Sequence, residues 1–151
     1  MFNFRVLAFI AVLAQYVLFV QGLPVQSRQI GDLQCNIDRL KIVTTLEGAK
    51  ITVDGLAASL SKSADASNIK AVANNIAGAQ GGIGVIGKAL LTGQAAPASA
   101  RTQVQDNLTQ AIKTLANIKS SDAGIASRLK LAAQQLNNSA ADGDGVVSNC
   151  K

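Results

Sequence analysis

Between Ile69 and Leu90 a run of apolar residues, Ile69, Val72, Ile76, Ala79, Ile83, Ile86 and Leu90, recurs at steps that alternate three and four. Residues so spaced share one face of an α-helix, whereas a strand would scatter them over both faces of a sheet. A seam of this kind needs another helix to cover it. Three more segments repeat the pattern. Leu33, Ile37, Leu40, Val43, Leu46, Ala49, Val53, Leu56 and Leu60 form the first stripe. Val104, Leu108, Ala111, Leu115 and Ile118 form the third, and Ile125, Leu129, Ala132 and Leu136 the fourth. Alternation at period two is nowhere sustained. Four amphipathic helices with short connections predict an all-α fold, an up-down four-helix bundle.

The breaks carry the expected punctuation. Ser61 to Ser67 reads as a polar turn in which Asp65 or Ser67 caps the next helix. Thr92 to Pro97 ends the second helix, and Ser120-Ser121-Asp122 supplies a new N-cap. After Asn138 the Asp- and Gly-rich segment reads as a flexible exit leading to Cys150. Gly78, Gly81, Gly82, Gly84 and Gly87 lie off the second seam and together cost a helix on the order of 4–5 kcal/mol relative to Ala. Two explanations stand: close approach of a neighbouring helix, or a deliberately soft helix exposing Ile83, Ile86 and Leu90. If the added methyl groups fit, alanine at Gly82, Gly84 and Gly87 should stiffen it.

The first residues read as a secretory signal: one charge at Arg5, an apolar run from Val6 to Val20, and small or tolerated residues in Val20-Gln21-Gly22. The run is shorter than a membrane span. The expected organisation is a signal peptide at 1–22, a flexible leader at 23–31 and one helical domain at 32–151, soluble and extracellular. Cleavage after Gly22 leaves 129 residues and lowers the formal charge from +5 to +4. The only cysteines, Cys35 and Cys150, survive cleavage, and in an oxidising compartment they are expected to form one intrachain disulfide.

Composition then narrows function. All four Phe residues and the single Tyr lie within the first twenty residues, and the chain has no His or Trp. The mature protein therefore lacks the commonest general acid-base and metal-ligating side chain, and any ring on which to stack a base. Its one glutamate, Glu47, and scattered aspartates suggest no catalytic carboxylate pair, so we expect no enzyme activity, cofactor or metal. Asp142 and Asp144 are spaced like part of a calcium loop, but the loop's terminal glutamate position lies beyond Lys151. Gly82 to Gly87 fits the dinucleotide fingerprint and, with Lys88, the start of a P-loop. Both motifs place phosphate at a helix N-terminus, whereas this seam runs straight through the glycines. The basic residues are dispersed, which argues against nucleic acid.

Two glycosylation sequons are present, Asn107-Leu108-Thr109 and Asn137-Asn138-Ser139. Asn137 is expected to be the more exposed. The signal, polar leader, paired terminal cysteines and Ala-, Gln- and Asn-rich helices resemble small secreted arthropod helical proteins of unknown biochemical role. The chain is also similar, more weakly, to fungal secreted proteins that bind hydrophobic surfaces. The resulting expectation is a secreted, alanine-rich, non-enzymatic bundle, monomeric or weakly oligomeric, acting on an extracellular partner in defence or development. The alternative is a carrier or surface binder for lipids or other apolar ligands, and a weakly cationic antimicrobial effector comes third.

Overall fold

The structure is a computed structural model that describes residues 33–150; the expected signal peptide at 1–22 and expected leader at 23–31 lie outside the described residues. Four helices occupy the described residues: α1 Leu33–Ser59, α2 Ala66–Leu91, α3 Ala98–Asn117 and α4 Ala123–Asn149. No strand occurs among the described residues. The helices form an up-down bundle in which α1 meets α2 and α4, and α3 meets α2 and α4. Contacts are most extensive along α1–α4 and α2–α3, so the bundle is two close antiparallel pairs laid side by side.

Local chemistry sets the helix ends. Asp122 caps α4 by accepting a 2.8 Å hydrogen bond from the Ile125 backbone N–H. Gly93 follows α2 with φ +71°, while the Gly93 and Gln94 N–H groups reach back to the carbonyls of Leu90 and Ala89 at 3.0 and 2.8 Å. This arrangement closes the helix by a Schellman motif, and glycine alone takes that φ without strain. Asp65 precedes α2 but makes no side-chain bond to its backbone. Its carboxylate instead accepts from the Asn68 amide at 3.0 Å.

The core follows the expected stripes from Leu46 onward. Leu46, Val53 and Leu56 of α1, Ile69, Val72 and Ile76 of α2, and Leu136 of α4 are all but sealed from solvent. Leu108, Leu115 and Ile118 add the α3 side. Before Leu46 the expected register fails. Leu33, Ile37, Leu40 and Val43 are exposed, and Cys35, Asp38 and Ile42 are buried in their place. The beginning of α1 is apolar on two faces. An aspartate holds one inward position because α4 supplies it with partners. Farther along the α2 stripe, Ile83 and Ile86 are only partly buried.

The expected flexible exit after Asn138 is also corrected, because α4 continues to Asn149. Gly143 and Gly145 are poor helix formers, but here they let α1 come close. A Cβ at Gly143 would lie 3.5 Å from Ile42 Cδ1, and one at Gly145 would lie 3.2 Å from the Asp38 carboxyl. Tertiary packing overrides propensity.

The same logic divides the α2 glycines. A Cβ on Gly82 would sit 2.8 Å from Val104 Cγ2 and 3.0 Å from the Ala100 carbonyl oxygen, and Gly78 lies under the Asn107 side chain. Close approach of α3 explains both. It does not explain Gly84 and Gly87, whose added methyls would meet nothing within 4 Å. The three positions therefore cannot be treated alike. Gly84→Ala and Gly87→Ala should each stabilise the fold by about 0.5–1 kcal/mol, whereas Gly82→Ala should destabilise it by about 1–3 kcal/mol. Urea unfolding of the three single variants measures this, and a stabilised Gly82→Ala protein would refute the packing account.

Candidate functional site

Cys35 and Cys150 form a disulfide with a Cα–Cα distance of 5.0 Å, across 115 residues of sequence. It ties the start of α1 to the end of α4, within one close pair. The same end of the bundle holds the 92–97 turn, which joins the other pair.

Beside the disulfide lies a polar cluster that the hydropathy pattern does not reveal. Asp38 is buried on α1, and its carboxylate accepts 2.7 Å and 2.9 Å hydrogen bonds from the Asn149 and Gln34 side-chain amides. Lys41 Nζ is 3.5 Å away. The Asn149 bond holds the carboxyl below its ordinary value of 3.8, Gln34 and Lys41 act in the same direction, and burial opposes them. A carboxyl with a lowered folded pKa stabilises the fold above its unfolded value and loses that contribution as pH falls through the folded one. Wild type should therefore melt above Asp38→Asn near neutral pH, and the gap should close as pH falls below 3.8. A gap that widens in acid would contradict this role.

Two turns on from Asp38, Thr45 Oγ1 lies 3.0 Å from Ser139 Oγ and 3.2 Å from Asp142 Oδ2. Ser139 is fully buried and also donates toward the Gln135 carbonyl at 2.9 Å. These bonds fix the α1–α4 register. Asp142 is thereby engaged in packing, and no group of three or more His, Cys, Asp or Glu among the described residues is placed to hold a metal ion.

The G-x-G-x-x-G run lies within the second half of α2, so the glycines do not precede the N-terminus of the helix that holds them. Its geometry cannot cradle a phosphate in the manner of either motif. The sequons differ as well. Asn137 is exposed, whereas Asn107 is half-buried, packs over Gly78 and donates its amide to the Gln103 carbonyl at 2.8 Å.

The surface feature that stands out is apolar. Of nine large exposed apolar side chains among the described residues, seven lie toward the disulfide end: Leu33, Ile37, Leu40 and Val43 on α1, Val85 and Leu91 on α2, and Val147 on α4. Between α1 and α2, Val43, Leu46 and Glu47 face Gln80, Ile83 and Gly84 across a shallow groove of about 230 Å³. A 2.8 Å hydrogen bond from Gln80 to Glu47 crosses it. A second groove of about 300 Å³ lies between α1 and α4 at Ile51, Thr52, Gly55, Arg128 and Leu131. Neither is an enclosed cavity of the kind that surrounds a bound small molecule. No described helix is long and apolar enough to cross a membrane. In comparisons with known proteins, the chain matches no protein-family model, no curated protein and no solved structure.

Proposed function

We propose that this protein is secreted and acts by binding, without bond chemistry, and that its partner is a lipid or another apolar ligand. One observation carries the choice of partner: the exposed apolar side chains are concentrated at the disulfide end while the other end is well packed. Exposed apolar surface gathered in one place, rather than scattered singly, marks an interaction site. It favours the carrier reading over a plain protein-interaction module. Leu40 and Val43 on α1, with Ile83 and Leu91 on α2, offer the contact surface. Gly84 and Gly87 leave room beside it, since nothing approaches their missing side chains. The exposed Asn137 sequon lies at the middle of α4, ten residues before Val147, so a glycan there is compatible with the reading.

The test uses N-phenyl-1-naphthylamine, a neutral dye that fluoresces in apolar surroundings. Native, oxidised protein should enhance its emission saturably, and a long-chain alcohol should displace it. Val43→Gln with Ile83→Gln should weaken uptake about tenfold, while Ile51→Gln on the α1–α4 side should leave it unchanged. Absence of saturable enhancement by folded wild type removes the apolar partner and leaves the plain interaction protein.

A further inference from the structure

The position of the covalent links determines how this bundle can move. The α1–α2 and α3–α4 connections, residues 60–65 and 118–122, both lie at the well-packed end and join one close pair to the other. At the opposite end, the 92–97 turn joins α2 to α3 and the disulfide joins α1 to α4. Each of those links closes a single pair. No covalent link crosses between the pairs at the disulfide end.

Noncovalent contact between the pairs is also the thinner kind: α1 touches α2, and α3 touches α4, far less than either touches its close partner. Along that seam, toward the disulfide end, Ile83 and Ile86 are only partly buried. In contrast, each pair is held internally by close packing: Gly82 against Val104 and Ala100 in one, Gly145 against Asp38 in the other.

We infer that the two pairs part as rigid units at the disulfide end, hinged at residues 60–65 and 118–122, and that the apolar ligand enters the slot so opened between Val43 and Ile83, Ile86 and Leu90. This rests on the proposed apolar-binding function, and it explains how a bundle with only shallow grooves takes up a ligand. The disulfide does not restrain the motion. It keeps α1 and α4 moving as one body.

Cross-linking decides the matter. The Gln80–Glu47 bond sets the antiparallel register of α1 and α2, and it brings Val43 opposite Gly84. A Val43→Cys/Gly84→Cys variant joined by a short bis-maleimide bridges the two pairs. The control, Gly81→Cys/Gln103→Cys, places the same reagent within one pair, where a Cβ on Gly81 is 3.7 Å from Gln103 Nε2. Cross-linking the first variant should lower apparent affinity for N-phenyl-1-naphthylamine at least about tenfold, and cross-linking the second should change it less than about twofold. Retained uptake in the first, or equal loss in both, overturns the opening while the binding function stands. If wild type takes up no dye, the binding function fails, and spin labels on the Val43 and Gly84 positions judge the opening by itself. A second, longer label-to-label distance supports it, and a single short distance overturns it.

Discussion

Cys35→Ser combined with Cys150→Ser is expected to lower the melting temperature by roughly 15 °C while preserving the helical circular dichroism spectrum. The bridge spans 115 residues, and closing a loop of that size in the unfolded chain is worth about 4–5 kcal/mol in the entropic model. For a domain of this size each kcal/mol moves the midpoint by several degrees. The native helices should persist, because the Asn149–Asp38 bond and the Thr45–Ser139–Asp142 contacts hold α1 and α4 together without sulfur. A change smaller than about 3 °C in the double variant would show that the unfolded chain is already compact enough to make the clip redundant.

Leu136→Ala should be nearly as costly, at about 3–4 kcal/mol. Leu136 is fully buried where α4 faces α1, and removing a core leucine loses its transfer free energy and leaves a cavity that neighbours fill only in part. Leu91→Ala is the matched control. That leucine is 89% exposed, so its loss should stay within about 0.5 kcal/mol. Guanidinium unfolding of the two variants compares them directly, and similar midpoints would mean that the core is misassigned.

The spacing of Leu46, Val53, Leu56, Ile69, Val72, Ile76, Leu108 and Leu115 makes the bundle legible in the sequence, because helical period and burial coincide there. The Asp122 cap and the disulfide can be read for similarly direct reasons. Legibility fails where local pattern and tertiary contact diverge. At the start of α1, Leu33, Ile37 and Leu40 are the more apolar set, yet Cys35, Asp38 and Ile42 face inward. A buried aspartate makes sense only once Asn149, more than a hundred residues away, is placed beside it. The helical character of residues 139–149 is hidden in the same way, since Gly143 and Gly145 act through the side chains of α1. Among the α2 glycines, sequence cannot separate Gly82 from Gly84, because the distinction depends on where Val104 and Ala100 lie. The candidate site is only half visible: the pattern marks Ile83, Ile86 and Leu90 as residues that could be exposed, but it assigns their opposite wall on α1 to the core.

The disulfide makes the segment from Cys35 to Cys150 a closed ring. The native molecule has three turns and one sulfur bridge, and these four junctions are topologically equivalent ways of passing from helix to helix. A protease that cuts once within residues 61–64, 93–96 or 119–121 opens the ring without releasing a fragment, because the remaining junctions still hold all four helices in sequence. The nicked molecule keeps its mass, apart from one added water, until the disulfide is reduced. Any of the three turns could also serve as the site of new chain ends in a circular permutant, with a peptide linker in place of the sulfur bridge. For a protein proposed to work outside the cell, the ring gives tolerance to a first cleavage that a linear bundle lacks.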